Sequence, residues 1–243
     1  MAIAVVSDGL DKTHEWWENY FSEGGGWERN GGRQQSRLFA EHFVQRFAID
    51  RQSHFRLLDV GCALGDAIDL FHQAYPQAEL HGVDFSAVAI ARCKSKLGAA
   101  ATFSVGDIDH VQGHFDVIYC SNTLEHFANY AEKAASLAEH CARLCILVPY
   151  KELVDGKALQ PRANEHHQAT FYDDSFDSLL RSGQAASIDR FVFSAPGAWG
   201  WTPAERVTQP LKNILRPLLG KQVVSEPFQV LYDIKMKPRE AAV

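Results

Sequence analysis

The sequence predicts an α/β fold, a mostly parallel sheet with helices on both faces. Three observations predict it. From residue 56 onward, short apolar runs alternate with segments of helical periodicity, the pattern of strands joined by crossover helices. The first of these runs, "LLDVGCALGDAI" (residues 57–68), passes from a strand through a glycine-punctuated turn into a helix. The length of 243 residues suits one large α/β domain with embellishments and allows a proper core.

The elements read in order as follows. Residues 1–32 are polar, aromatic and glycine-rich, as in "HEWWENYFSEGGGWERNGG". The next stretch places Leu38, Phe39, Phe43 and Phe47 at helical intervals and predicts an amphipathic helix over residues 33–49. "RLLDV" is a buried strand, and "GDAIDLFHQAY" a helix stopped by Pro76. "AELHGVD" is the second strand. "SAVAIARCKSKLG" is a helix with Ser86 as N-cap and Gly98 at its C-terminal end. "ATFSVGD" and "FDVIYCS" are strands three and four, "YAEKAASLAEHCA" a helix, and "RLCILVPY" strand five. In the last third, "DDSFDSLLRSG" reads as a helix and "SIDRFVFS" as a strand. Residues 199–220 are irregular and then helical, punctuated by Pro203, Pro210 and Pro217, and "PFQVLYDIKMK" is the final strand. We expect a single domain over 1–243: a cap or lid over 1–50, a ligand-binding core over 55–150, and a second half over 151–243 with an insertion at 196–220.

Composition narrows the functional classes. A hydrophobic content of 46% and a charged content of 22% are ordinary for a soluble globular protein. The net charge of −6 gives no support for nucleic-acid binding, which usually shows a basic excess. The five cysteines, at 62, 93, 120, 141 and 145, lie mostly in apolar surroundings and are read as reduced, buried thiols of a cytoplasmic protein. The N-terminus lacks the basic and apolar regions of a signal peptide, and no apolar run approaches the roughly 18–20 residues that span a membrane.

The turn indicates what kind of ligand to expect. In an open α/β sheet the ligand sits beyond the carboxyl ends of the strands. A dinucleotide turn, G-x-G-x-x-G from Gly61, would need glycines at 63 and 66, where this chain has Ala63 and Asp66. A carboxylate at 66 would repel a diphosphate. The alternative spacing, acid-x-G-x-G-x-G, reads Asp59, Gly61, Ala63, Gly65. It suits a ligand carrying an ammonium and a sulfonium, and small residues admit close backbone approach. The alanine methyl fits if φ at residue 63 is negative.

Four pieces in register then resemble one family. "LLDVGCALGDA" matches its glycine-rich first motif, with Ala63 as the departure. "HGVDFS" matches the second, "FSVGDID" the third, and "FDVIYCSNTLEHF" the fourth strand and its loop. The chain resembles the class I S-adenosylmethionine-dependent methyltransferases of small-molecule type from Phe55 to Pro149, and more loosely to the C-terminus. The resemblance implies a Rossmann-like, doubly wound, seven-stranded sheet whose last strand is antiparallel. It implies S-adenosylmethionine as cofactor and S-adenosylhomocysteine as product. Asp84, with Phe85 beside it, would hold the ribose hydroxyls, and Asp107 and Ile108 the adenine. Asp59, Gly61, Cys62 (through its backbone), Ala63 and Gly65 would form the turn under the methionine part. Ser121 and Asn122 would offer backbone carbonyls, and Arg37 would pair with the cofactor's carboxylate.

The acceptor side is less legible. His126 in "NTLEHF", and His166 or His167 in "NEHHQATFYDDSF", are the candidate catalytic bases or acceptor contacts. No metal is expected: Cys141 and Cys145 lack a second ligand pair, and Glu165 with its neighbouring histidines lacks a further ligand. The aromatic N-terminal segment reads as a lid with glycine hinges. Trp199 and Trp201 read as walls of an acceptor pocket or a dimer contact, and Pro217 argues against an interfacial helix at "LKNILRPLLGK". The leading expectation is methyl transfer to an O or N atom of a small molecule, sugar-like or a natural-product intermediate, by a monomer or homodimer. An RNA or protein methyltransferase is the alternative, and it would gain weight if basic residues such as Arg162, Lys212 and Arg216 clustered at the pocket mouth. A non-catalytic partner subunit fits poorly with an intact Asp84 and strand-four motif.

Overall fold

The computed structural model describes residues 14–47, 49–154, 157–158, 167–195, 207–208, 211–212, 214–219 and 228–238. Its helices are α1 (His14–Phe21), α2 (Gly26–Arg29), α3 (Gly32–Arg46), α4 (Asp66–Ala74), α5 (Ala87–Leu97), α6 (Tyr130–Ala138) and α7 (Asp177–Arg181). The strands are β1 (Arg56–Val60), β2 (Glu79–Asp84), β3 (Thr102–Val105), β4 (Phe115–Ser121), β5 (Cys141–Pro149), β6 (Leu153–Val154), β7 (Lys157–Ala158), β8 (Ala185–Ser194) and β9 (Phe228–Met236).

Seven strands form one sheet in the order β3-β2-β1-β4-β5-β9-β8, and β6 with β7 forms a separate two-stranded hairpin that the sequence pattern does not announce. The pairs from β3 to β5 are all parallel. β9 runs antiparallel to both β5 and β8, so the last strand is the reversed one, as expected. The sheet buries both faces, and alternate side chains of each strand serve opposite layers. Leu57, Val117, Leu147 and Leu231 meet α3, α4 and α5 through Phe39, Phe43, Ile68, Phe71 and Ile90. Leu58, Ile118, Ile146 and Val230 meet α6 and α7 through Ala134, Leu137 and Leu179.

Element boundaries depart most from the sequence reading in two places. Strand β5 begins at Cys141 rather than after Ala142, and α6 ends at Ala138, because Phe115 of β4 pairs with Cys141 and extends the ladder. The segment expected as a helix over 173–183 is a turn over 173–176 followed by the five-residue α7. All five cysteines are buried free thiols. Among the described residues no helix is long and apolar enough to cross a membrane. Trp199 and Trp201, most of the 196–220 insertion, Arg162, Glu165 and His166 lie outside the described residues.

Candidate active site

The strand order reverses between β1 and β4, whose neighbours are reached by crossovers in opposite directions. The crevice at their carboxyl ends is where such sheets place ligands. Two loops line it: the turn Gly61–Gly65 after β1, and residues 122–127 after β4. They touch directly. The Thr123 hydroxyl donates to the carbonyls of Ser121 and Val60, at 3.1 and 3.4 Å.

The turn is built from left-handed residues: Gly61 at φ 76°, Ala63 at φ 47° and Gly65 at φ 74°. The condition for an unstrained methyl, a negative φ at residue 63, is therefore not met. Alanine occupies a region that costs a side chain roughly 1–2 kcal/mol. At both glycines a side chain would be strained by the positive φ, and at Gly61 it would also clash. A Cβ on Gly61 would lie 2.3 Å from Thr123 Oγ1, and one on Gly65 would lie 3.0 Å from Leu97 Cδ1 and 3.1 Å from Cys93 Sγ. Main-chain bonds from Gly61 N and Cys62 N to Val83 O, at 2.9 and 3.1 Å, hold the turn against the end of β2. The Cys62 side chain is buried below it, as core rather than as a ligand contact.

Asp84 ends β2 and organises the crevice. It is 4% exposed, and its two carboxylate oxygens accept from Ala63 N and Ser86 N, each at 2.9 Å. Each oxygen keeps a second lone-pair direction for a further donor. Burial pushes this carboxyl up to about 6, against the lowering effect of the two N–H groups. Asp59 lies deeper still, 3% exposed, and no hydrogen-bond or ion-pair partner reaches it among the described residues. Burial and the charge of Asp84 raise it to about 8. An uncompensated buried acid and an acid with spare acceptors suit a cation and a diol respectively, so this pair fits the ammonium and ribose of the expected cofactor. Phe85, 38% exposed, stands on the rim, and Asp107 and the buried Ile108 follow β3 beside it.

The cap lies over this crevice. The Trp17 ring sits 6.3 Å from that of Phe85 and 5.8 Å from that of His126, bridging the two sides of the cleft. Phe21, Ala63, Leu64 and Ala89 bury one another where α1 meets the turn and α5. The cap is fastened by charge as well: Arg92 donates to Phe21 O and Ser22 O and pairs with Glu28, and Arg33 bridges Glu28 and Asp66. Arg37, expected to meet a cofactor carboxylate, pairs with Asp69 at 3.0 Å where α3 lies along α4.

The β4 loop gathers the remaining functional candidates. Ser121 ends β4, and Asn122 sits at φ 49° with its N–H on Leu147 O. The loop turns through a short 3₁₀ helix, Leu124–His126. Glu125 is 1% exposed; burial raises its carboxyl to about 7, offset in part by nearby His167 and a hydrogen bond from Asn122. The Glu125 carbonyl accepts from Gln168 N and Ala169 N, at 2.8 and 3.2 Å, and this draws the distant 167–169 segment against the loop. The rings of His126 and His167 consequently lie 5.2 Å apart, and His167 Nδ1 lies 2.6 Å from Glu152 Oε2. The structure thus brings two of the three candidate histidines together. Glu125, Glu152 and Glu18 escaped the sequence reading. Glu125 stood in the quoted "LEH", whereas nothing in the spacing marked the other two.

Known proteins are similar to this chain over its core. The sequence model of a family described as "Methyltransferase domain" matches residues 32–182. A trans-aconitate 2-methyltransferase of Deinococcus radiodurans is 29% identical over 38% of this chain and 36% of its own length. One of Pseudomonas paraeruginosa is 27% identical over 65% of this chain and 54% of its own length. The chain thus spans from about a third to about half the length of these curated relatives. In fold, the chain is similar to a magnesium protoporphyrin IX methyltransferase of Synechocystis crystallised with bound S-adenosylmethionine. The TM-score is 0.55 at 14% identity, over 94% of this chain and 86% of that one.

Proposed function

From the premise that this chain belongs to the methyltransferase-domain family, matched over residues 32–182, we propose that it transfers the methyl group of S-adenosylmethionine to an oxygen or nitrogen atom of a small acidic or hydroxylated acceptor. The observation that carries the reading is Asp84. Its carboxylate is pinned at the end of β2 between the turn (Ala63 N) and the start of α5 (Ser86 N), with acceptor capacity left over for a ribose diol. The small-molecule class is supported by what the relatives' names state of those proteins, and by the net charge of −6.

S-adenosylmethionine supplies an electrophilic methyl on sulfur, displaced in line by the acceptor atom. The chain's task is therefore mostly alignment and exclusion of water. Asp84 and Asp59 would hold the ribose and the ammonium, and Asp107 with Ile108 would border the adenine. Ser121 and Asn122 would hold the methionine part. Trp17, on α1, closes the cleft between Phe85 and His126 as a lid. His126 and His167 face the acceptor, and His167, held by Glu152, takes a proton where the acceptor must lose one.

The test is equilibrium binding of S-adenosylmethionine to the purified chain and to Asp84→Ala, followed by incubation of labelled cofactor with hydroxy-acid and sugar acceptors. We expect binding that weakens at least tenfold in the variant and label in a small product. Absence of cofactor binding, or binding indifferent to the substitution, overturns the reading.

A further inference from the structure

We propose that Glu125, His126 and His167 form a binding site for one divalent transition-metal ion, placed at the acceptor end of the cleft. Each residue offers one ligand atom, and these three atoms lie within 4.8 Å of one another. Metal–ligand distances of roughly 2.0–2.2 Å put the ligands of one ion up to about 4 Å apart, so small side-chain rotations close the set.

Three further observations point to an ion. First, Glu125 is 1% exposed and its Oε2 has no hydrogen-bond partner. A buried carboxylate oxygen left uncompensated is costly, and a cation satisfies it. Second, Glu152, itself buried, holds Nδ1 of His167 at 2.6 Å. With Nδ1 so engaged, Nε2 would be the atom that meets an ion, the carboxylate–histidine pairing common behind metal-bound imidazoles. Third, the two ligand segments are joined through the main chain, by Gln168 N and Ala169 N on Glu125 O, so the set is preassembled before any ion arrives.

The donor set selects the metal. Two imidazoles and one carboxylate suit zinc, iron(II), cobalt, nickel or manganese, whereas magnesium and calcium prefer oxygen ligands. Three protein ligands would leave coordination positions open, and one of the ligands, His126, borders the Trp17 ring. A hydroxyl, carboxylate or enol oxygen of the acceptor would complete the shell, and with the ion bound His167 is a ligand rather than the proton acceptor named above. That acceptor role rests on the methyl transfer proposed above. The ion site rests on the side chains alone.

The experiment uses the full chain freed of metal with a chelator and then titrated with zinc and cobalt(II). Bound metal is counted by mass spectrometry, and the cobalt d–d spectrum is recorded. We expect one equivalent bound and a spectrum typical of mixed nitrogen and oxygen ligands. Glu125→Gln and His167→Ala should each weaken binding at least tenfold, and Glu152→Gln by about 10–100-fold through the misoriented His167. A zinc-induced rise in melting temperature should be present in the native chain and smaller in Glu152→Gln, a variant that keeps all three ligands. Substoichiometric metal, or binding unaltered in Glu125→Gln and Glu152→Gln, overturns the site. Asp84→Ala is measured in parallel. Metal binding without cofactor binding would sink the methyltransferase reading and leave this site standing, and the reverse result would sink only the site.

Discussion

Glu18 of the cap accepts a hydrogen bond from the Ser86 hydroxyl at 2.6 Å and closes the N–H groups of Ala87 and Val88 at 2.9 and 3.0 Å. The N-terminus of α5, two residues beyond Asp84, is thus capped by a side chain from a helix 68 residues earlier in the chain. These hydrogen bonds hold the Glu18 carboxyl below its ordinary range despite the opposing effect of burial. The arrangement couples the position of α1 to the Asp84 end of the cleft.

Glu18→Ala should therefore loosen the lid. Loss of a capping acceptor costs about 0.5–2 kcal/mol. We expect faster tryptic cleavage within residues 14–33 and a several-fold faster dissociation of S-adenosylhomocysteine in stopped-flow measurements, with the core's melting transition retained. An unchanged dissociation rate would remove α1 from the gating step.

At Gly61 the structure predicts a repairable clash. Gly61→Ala places a methyl 2.3 Å from Thr123 Oγ1 at a residue whose φ is 76°. We expect a loss of about 2–4 kcal/mol in urea unfolding, combining overpacking with the left-handed conformation. Adding Thr123→Ala should recover the steric part and leave the backbone part. If the double variant is no more stable than Gly61→Ala, the contact with Thr123 is not what demands glycine.

Ala63→Gly tests the turn from the other side. Alanine sits there at φ 47°. Glycine removes the strain of the left-handed conformation but adds chain entropy to the unfolded state, worth about 0.4–1 kcal/mol. The net expectation is a small gain in stability, about 0.5 kcal/mol, seen as a raised melting temperature. A clear loss would mean that the methyl contributes packing against Phe21 and Leu64 that outweighs the strain.

Asp59 should make the cofactor-free protein less stable as pH rises. Below its ordinary value of 3.8 the acid is protonated in both states and contributes nothing. Between 3.8 and about 8 the unfolded chain releases the proton while the folded chain retains it, so folding loses stability across that window. Asp84, raised to about 6, adds its share over the lower part. Urea unfolding at several pH values should show Asp59→Asn flattening the decline between about 6 and 8 and stabilising the chain at pH 8. The same variant should bind S-adenosylmethionine more weakly, because the ammonium loses its acid. Equal slopes in the two proteins would place the titration elsewhere.

The sequence by itself determined the alternation of strands and helices from β1 to β5 and the acid that ends β2. These features follow from periodicity, from turn residues and from four motifs in register, which record each residue's burial or backbone conformation locally. The seven-stranded sheet and its reversed final strand were implied by the family resemblance those motifs carry, and the structure has both. Tertiary structure decided what local patterns do not encode. Ala63 is left-handed because Asp84 captures its N–H, and Gly61 is glycine because Thr123 fills its free side. Arg37 turns to Asp69 because α3 lies along α4. Glu125 and His126 meet His167 because main-chain bonds from Gln168 and Ala169 end on the Glu125 carbonyl. Contacts between distant loops are set by the packing of the elements that carry them, and a side chain's neighbours there cannot be counted along the chain.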